Sequence, residues 1–282
     1  MNKINNEDIL ALFSRDVNRN FYYCYDTEMA GRDGYKIKEI AYFVNDISDP
    51  LSSFVCVKTY WDDSLVVNVY SDKEKFWAEA ADFISALTAE EIDVTATHEE
   101  FFVHPYVAER LSFVSTETGS PIYGLISPDD LAPISLSREV TVSPAAEDDR
   151  KATKEDISVL DALEEELRNP ELFDSCDCFF DTRFYLLKNG DKIIGFLRGE
   201  CGFRNYYDIG WVYVAPAYRG KGYGKLLTLH FSYDLLKNGL YPHYGYAINP
   251  ESEAVAKACG YTRTRPCAEF KRVNKKQNKT IV

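Results

Sequence analysis

Apolar residues in the second half of the chain alternate between helical and strand spacing. Residues 154–168 place apolar side chains at helical spacing and predict a helix, with Ile157, Leu160, Leu163 and Leu167 on its apolar side. Residues 184–187 and 192–197 flank the turn Asn189-Gly190-Asp191, which is typical of a β-hairpin, and residues 208–214 predict a third strand. This half therefore begins as a helix followed by three strands.

A glycine-rich turn follows the third predicted strand and leads into more helices and strands. A helix is predicted over 222–237, ended by Asn238-Gly239, then a strand over 244–249 and a short helix over 252–259, capped by Gly260. The predicted fold of this C-terminal domain is α/β, with a mixed central sheet and flanking helices.

The N-terminal half repeats part of this order of elements. Residues 53–60 and 65–70 predict a hairpin, residues 73–87 a helix with one apolar face, and residues 92–97 the next strand. A helix ending near Leu111 and a final hairpin around Gly119-Ser120 complete the unit. No residue-level repeat links the halves, so a smaller α/β domain that is a degenerate copy of the C-terminal fold stays a hypothesis.

A boundary is predicted where Pro, Ser and acidic residues interrupt the apolar pattern. We expect an N-terminal domain over 1–126, a linker over 127–153, a C-terminal domain over 154–273 and a frayed tail over 274–282.

Composition indicates a globular chain that remains in a reducing compartment. The 282 residues are 45% hydrophobic, no apolar run is long enough for a membrane span, and the first residues are polar, without the apolar stretch of a secretory signal. The cysteines are odd in number and scattered, namely Cys24, Cys56, Cys176, Cys178, Cys201, Cys259 and Cys267. We therefore expect a soluble, cytoplasmic protein with reduced thiols and no membrane contact.

Charge is distributed unevenly along the chain. The net charge of −13 argues against general affinity for nucleic acid, because phosphate binding needs clustered Lys and Arg. Residues 1–150 hold 12 basic and 28 acidic side chains, net −16, whereas 151–282 hold 20 and 17, net +3. The C-terminal half is compatible with a polyanionic cofactor, while the acidic half either attracts a cationic acceptor or only keeps the protein in solution.

The segment with the clearest chemical meaning ends the third predicted strand of this half and opens the next helix. Residues 214–225 read Val-Ala-Pro-Ala-Tyr-Arg-Gly-Lys-Gly-Tyr-Gly-Lys. A helix N-terminus presents unpaired N–H groups, and glycines let a phosphate approach the backbone. The spacing differs from those of the Walker loop and the dinucleotide fingerprint.

This segment resembles the signature of the GNAT superfamily of N-acetyltransferases, in which Val-x-Pro leads into Arg-Gly-x-Gly-x-Gly. A second family motif follows at matching spacing, with Asn249, then Ser252, then Gly260-Tyr261 in place of Gly-Phe. The resemblance covers about residues 150–273. It implies a strand edge that lies along the pantetheine arm of acetyl-CoA, a loop that holds the pyrophosphate, and two later pantetheine-side residues. Those positions are Val212, Tyr213, Val214, Arg219, Gly220, Lys221, Gly222, Tyr223, Gly224, Lys225, Asn249 and Ser252.

The resemblance also implies candidate catalytic residues. Asp208 occupies a position where GNAT enzymes often carry a basic carboxylate, and it is equally well explained as a solvated strand-start residue, with Glu200 in reserve. A backbone N–H of residues 212–214 would stabilise the oxyanion. The family's usual acid, a tyrosine seven residues after the asparagine, is replaced by Ala256, so a nearby tyrosine takes its place or the thiolate leaves unassisted. The nearby tyrosines are Tyr244, Tyr246 and Tyr261, of which we select Tyr246.

Other constellations are weaker. Cys176 and Cys178 lack a second pair at zinc spacing, so we expect no metal. His243 lies near the strand where an acceptor would bind. The leading hypothesis is acetyl transfer from acetyl-CoA to a primary amine of a small molecule by direct attack. Alternatives are peptide or protein N-acetylation, or a non-catalytic acyl-CoA-binding module, and a homodimer is left open.

Overall fold

The computed structural model describes residues 1–89, 91–98, 100–111, 113–118, 120–135, 139–144, 183–265 and 269–274. These residues fall into two compact units, one formed by Met1–Pro121 with Arg265–Val282 and the other by Ile122–Thr264.

Helices and strands are mixed along the chain in both units. In chain order they are β1 Asn2–Ile4, α1 Asn6–Phe13, α2 Val17–Met29, β2 Ile37–Val44, β3 Phe54–Tyr60, β4 Leu65–Tyr70, α3 Glu74–Ala86, β5 Glu91–Ala96, α4 Glu100–Val103, α5 Pro105–Arg110, β6 Phe113–Thr118, β7 Ile122–Gly124, β8 Thr141–Pro144, β9 Arg183–Asn189, β10 Lys192–Phe203, β11 Tyr206–Val214, α6 Tyr223–Lys237, β12 Tyr241–Tyr246, α7 Pro250–Cys259, β13 Thr262–Arg265 and β14 Glu269–Asn274.

The first unit is a seven-stranded mixed sheet in the order β1-β2-β3-β4-β5-β14-β6. Only β4 and β5 pair in parallel; each other pair with a described register is antiparallel. Helix α3 buries Trp77, Ala80 and Ile84, which recur at helical spacing, against Val67 and Val94 of the sheet. This layer of helix on sheet forms one core of the unit.

The second unit is also a seven-stranded mixed sheet, in the order β13-β7-β12-β11-β10-β9-β8. Its parallel pair is β11 with β12. Helix α6 buries Leu227 and Phe231 in a cluster with Tyr207 and Ile209 of β11. A helix thus covers one face of this sheet as well.

Apart from one inserted strand, the two sheets have the same strand order, which is β1-β2-β3-β4-β5 and then β6 in the first unit and β8-β9-β10-β11-β12 and then β13 in the second. In both, a parallel pair is flanked by a meander on one side and by an inserted antiparallel strand on the other, which is β14 in the first unit and β7 in the second. The mixed α/β class predicted from the sequence is confirmed, and the likeness between the halves extends to sheet topology.

Most local elements agree with the sequence prediction, but one hairpin is wrong. The hairpins over β3–β4 and β9–β10 and the helices α3 and α6 are confirmed. The final hairpin predicted around Gly119-Ser120 does not form, because β6 pairs with β14 while β7 pairs with β12. A tight turn predicts local pairing, whereas here the two strands join different sheets.

The boundaries of elements and units also differ from the prediction. The strand predicted over 244–249 spans Tyr241–Tyr246, so Asn249 lies beyond it. Residues 141–144, inside the predicted linker, form β8, and β14 near the end of the predicted C-terminal domain belongs to the first unit. The helix predicted over 154–168 and residues 275–282 of the predicted tail lie outside the described residues.

Candidate functional site

A fork opens between the two parallel strands of the second sheet. Strands β11 and β12 pair at only three positions, Tyr206 with Tyr241, Tyr207 with Pro242, and Asp208 with His243. Beyond Asp208, β11 continues to Val214 paired with β10 alone among the described strands. The edge of β11 that faces the fork therefore presents backbone groups that pair with no other strand of the described ranges.

Irregularities in both strands coincide with this fork. The register of β11 against β10 skips Gly210, because Arg198 faces Trp211 while Gly199 faces Ile209. In β12 the register against β7 shifts between His243 and Gly245, and Gly245 has φ +72°, a left-handed conformation that favours glycine. Such bulges bend a strand and increase its twist, which accounts for the divergence.

The predicted cofactor strand edge lies along this fork. Val212, Tyr213 and Val214 are half-buried and face Leu197, Phe196 and Gly195 of β10. In an antiparallel pair, successive residues direct their N–H and C=O groups alternately towards and away from the partner strand. Part of this backbone is thus directed into the fork, while its contacts with pantetheine and an oxyanion stay a prediction.

The loop after β11 ends in an open helix N-terminus. Gly220 has φ +76° and Gly222 has φ +80°, and no atom lies within 4 Å of the position a Cβ would take on either. Gly222 is the N-cap of α6 and has no side chain that could accept the first N–H groups of the helix. The loop therefore presents amide donors and a partial positive charge to an accessible space.

Basic side chains surround this loop. Arg219 donates from Nε to the carbonyl oxygen of Val214 at 2.8 Å and lies over the ring of Tyr213. Lys221 is exposed, with Nζ 5.6 Å from the ring centroid of Tyr218, and Lys225 is half-buried in the first turn of α6. The electrostatic environment suits a pyrophosphate.

Two residues of the predicted loop motif support packing. A Cβ on Gly224 would lie 3.3 Å from Cγ2 of Val255, so glycine here allows α6 to approach α7 closely. Tyr223 is buried, and its hydroxyl donates to Oε2 of Glu139 at 3.3 Å. Only the backbone of Tyr223 is available to a ligand in the loop.

The second motif forms the start of α7. Asn249 is its N-cap, and Oδ1 accepts from the N–H of Ser252 at 2.8 Å. The hydroxyl of Ser252 lies 3.1 Å from the buried Tyr244 hydroxyl, which also donates to the Ser252 carbonyl oxygen. Capping engages the amide oxygen of Asn249, which leaves its NH₂ group as the donor for a pantetheine contact.

Asp208 and His243 form a buried pair at the last paired position of the fork. Nδ1 of His243 lies 2.8 Å from Oδ1 of Asp208, and the residues are 0% and 2% exposed. The sequence left two interpretations of Asp208, a partly buried candidate base and a solvated strand-start residue. Asp208 is buried, which contradicts the second interpretation, and its histidine partner comes from a strand 35 residues away.

The fork and the glycine loop lie in a part of the chain that matches a known family. Residues 180–263 match the family model described as an acetyltransferase (GNAT) domain, a range that includes β10 to α7, the fork and the loop. Residues 180–263 are a GNAT domain. No curated protein matches the chain at a significant level.

Solved structures extend the similarity in fold beyond the GNAT domain. A protein from Drosophila is similar over 96% of this chain and 97% of its own, with 14% identity and a TM-score of 0.59. A GCN5-related N-acetyltransferase from Kribbella flavida is similar over 77% of this chain and 86% of its own, with 13% identity and a TM-score of 0.50. At such low identity these likenesses concern the fold alone.

The GNAT domain contains the three tyrosines considered as acids, in different environments. Tyr261 is buried, its hydroxyl lies 2.6 Å from that of Ser232, and burial raises its pKa well above the usual value. Burial raises the pKa of Tyr244 to about 12. Tyr246, at the end of β12, is 45% exposed, so it alone of the three presents its side chain to solvent.

The remaining candidate positions in the GNAT domain are Glu200 and Ala256. Glu200 lies in β10 within the irregular stretch between Gly199 and Gly202, at the level of Asp208. Ala256, in the position of the usual family acid, is fully buried in α7. In the described ranges, no group of three or more His, Cys, Asp or Glu side chains is arranged to hold a metal ion, and no helix is long and apolar enough to cross a membrane.

Proposed function

We propose that this chain is an acetyl-CoA-dependent N-acetyltransferase that acts on a primary amine of a small molecule by direct attack. The observation that carries the proposal is the conjunction, in the GNAT domain, of a diverging parallel strand pair with an uncapped helix N-terminus at the end of β11. One provides unpaired backbone for an extended thioester arm, and the other provides amides for phosphates.

The residues present fit coenzyme A. Open space at Gly220 and Gly222 gives a pyrophosphate access to the amides of the loop, and Arg219, Lys221 and Lys225 supply positive charge. The pantetheine would lie along residues 212–214, with Asn249 and Ser252 on the side of α7. Acetyl-CoA would supply an activated acetyl group.

The chain's own groups would then serve acyl transfer. A backbone N–H of residues 212–214 is our candidate for stabilising negative charge on the acetyl oxygen. Asp208, with Glu200 in reserve, is assigned to the proton-accepting side. Tyr246 is assigned to proton donation, since its exposed ring at the end of β12 leaves it available to a leaving thiolate.

The acceptor and setting belong to the same proposal. A small-molecule amine is the favoured acceptor, and peptide or protein acetylation is the alternative. The protein would be cytoplasmic and would bind neither nucleic acid nor membrane. Sedimentation tests whether it forms a homodimer. A non-catalytic acyl-CoA-binding role is the second candidate, because buried Ala256 replaces the family's usual acid.

Calorimetric titration with acetyl-CoA tests the cofactor site. Gly222→Asp adds a carboxylate where the pyrophosphate would lie, and we expect it to weaken binding more than about 100-fold through repulsion and blocked amides. Gly222→Ala is the matched control, because it carries the same backbone strain at positive φ without the charge.

The outcomes separate the candidates. Binding by the wild type and the alanine variant, lost in a folded aspartate variant, supports the site. Absence of binding by the wild type, or equal binding by the aspartate variant, contradicts it. Release of free CoA thiol on adding primary amines then distinguishes an enzyme from a binding module, which releases none.

A further inference from the structure

The buried Asp208–His243 pair has chemistry beyond that of a lone carboxylate. We infer that His243 is the group that accepts the proton from the attacking amine, and that Asp208 is a positioning residue that orients it. This inference rests on the proposed acetyl-transfer function, and it replaces proton acceptance by Asp208 itself with proton acceptance by Nε2 of His243.

The geometry assigns the two roles. Oδ1 of Asp208 lies 2.8 Å from Nδ1 of His243, so the carboxylate accepts a hydrogen bond from Nδ1–H. In neutral imidazole this tautomer puts the lone pair on Nε2, which becomes the basic atom. A carboxylate that holds an imidazole in one tautomer and stabilises its protonated form is a recurrent arrangement in acyl transfer.

The position of the pair favours a functional role over a packing one. Asp208 and His243 are the last paired residues before the strands diverge, so they lie where the unpaired edge of β11 begins. Burial of an ionisable pair costs free energy, and replacement by apolar side chains of similar size is often neutral or stabilising. A catalytic task at the fork accounts for this cost.

The proton balance of the step is complete. The amine nitrogen forms a bond to the acetyl carbon, the carbon–sulfur bond of the thioester breaks, and the proton leaving nitrogen goes to Nε2 of His243, directly or through water. The CoA thiolate departs with the sulfur electron pair and takes up a proton from Tyr246 or solvent, and His243 then returns its proton to water.

Residues on the neighbouring strands must be considered beside the pair. In β10 the backbone of Glu200 and Cys201 lies between Gly199, which faces Ile209, and Gly202, which faces Tyr207, whereas β7 places Gly124 opposite His243. Burial and, to a smaller extent, the Asp208 carboxylate raise the pKa of Tyr261. Glu200 is the reserve base of the proposed function, so Glu200→Gln is included as a separate test.

Nuclear magnetic resonance of the histidine side chains examines the pair without turnover. The His243 signals, assigned by their loss in His243→Gln, should show the Nδ1–H tautomer. Asp208→Asn replaces one carboxylate oxygen by an NH₂ group that can donate to Nδ1, so the preference for the Nδ1–H tautomer should weaken. Saturating acetyl-CoA should shift the His243 signals but not those of His98 and His104 in the first unit. The opposite tautomer in the wild type, an unchanged tautomer in Asp208→Asn, or His243 signals indifferent to acetyl-CoA would overturn the inference.

Kinetics with the amine that gives the fastest CoA release completes the test. His243→Gln should lower kcat about 100-fold and remove the acidic limb of the kcat/KM profile, while the Kd for acetyl-CoA stays unchanged. Asp208→Asn should move that limb to lower pH. Tyr241→Phe, which removes a hydroxyl two residues from His243, is the control variant and should keep it.

The result also distinguishes this inference from the proposed function. A wild type that fails to bind acetyl-CoA contradicts the proposed function. A wild type that binds and acetylates, with a His243→Gln variant of normal rate and pH profile, contradicts the inference alone, as does an acidic limb that disappears in Glu200→Gln instead.

Discussion

The two units share a strand order but differ at the parallel pair in the middle of each sheet. In the first unit β4 and β5 pair at five successive positions from Leu65 with Ile92 to Val69 with Ala96, and Thr97 N–H still donates to the Val69 carbonyl oxygen. In the GNAT domain β11 and β12 pair at three positions and then separate. The parallel pair of the first unit, the closed seam, is hydrogen-bonded along its length, whereas that of the GNAT domain, the open seam, separates after three positions.

The connections that follow these strands differ in the same sense. After β4 the chain reads Ser71-Asp72-Lys73, without glycine, and the indole of Trp77 donates to the Ser71 carbonyl oxygen at 3.0 Å. After β11 the chain has two glycines in left-handed conformation, whereas neither following helix has a side-chain N-cap. One topology can therefore hold a closed or an open parallel pair, depending on a few backbone positions.

Removal of β14 is the most severe way to break the shared strand order. Ending the chain after Arg265 takes away a strand that pairs with β5 on one side and β6 on the other, so both are left as unpaired edges. We expect the first unit to unfold, with loss of hydrogen-exchange protection in β5 and β6. Deleting only 275–282, predicted as a frayed tail, should preserve that protection. Retained protection in the shorter chain would show that β14 is dispensable.

Features of this molecule that depend on residues close together in the sequence could be predicted, and features that depend on distant segments could not. Hairpins and amphipathic helices depend on nearby residues, and β3–β4 or α6 could be predicted from turns and spacing. The partners of β7 and β14 could not, because strands of three and six residues carry little pattern and pair with distant segments. The Gly119-Ser120 turn predicts a local hairpin, which does not form.

The candidate site divides in the same way. The glycine loop and Asn249 are recognisable because each motif is contiguous. The Asp208–His243 pair depends on the register of two strands and gives no local signal, so the sequence indicates each residue separately but not their contact. The capping role of Asn249 follows from Asn-Pro at a helix start.

A smaller change sharpens the contrast between the closed and open seams. Gly245→Ala places a side chain at φ +72° in the bulge of β12, costing about 1 kcal/mol and altering the course of the strand beside the fork. We expect the Kd for acetyl-CoA to rise about tenfold. Gly239→Ala is the control, since Gly239 has φ +74° after α6, with no atom within 4 Å of an added Cβ. Equal affinities in both variants would mean that the bulge does not shape the fork.

Asn249 allows helix capping to be separated from cofactor binding. Asn249→Asp keeps the oxygen that accepts from the Ser252 N–H but loses the NH₂ donor, whereas Asn249→Ala loses both. The alanine variant should lose about 1 kcal/mol of stability and the aspartate variant little of it. Both should bind acetyl-CoA a few-fold more weakly, by about one hydrogen bond. Full affinity in the aspartate variant would restrict Asn249 to capping.

The smallest expected effect concerns buried cysteine thiols, which compare the cores of the two units. Cys24 and Cys56 in the first unit and Cys259 in the second are buried cysteines that form no disulfide, so native protein should react slowly with a thiol reagent at all three. Burial raises the pKa of Cys259 from 9.0 to about 12. The unfolded state therefore loses this proton first, and stability that is full below pH 9 declines as pH rises towards 12. Between pH 8 and pH 10, urea unfolding of the wild type should lose about 1 kcal/mol more than Cys259→Ala does. Equal losses in the two proteins would place the Cys259 thiol in contact with water, and the second core would then be less tightly closed than the first.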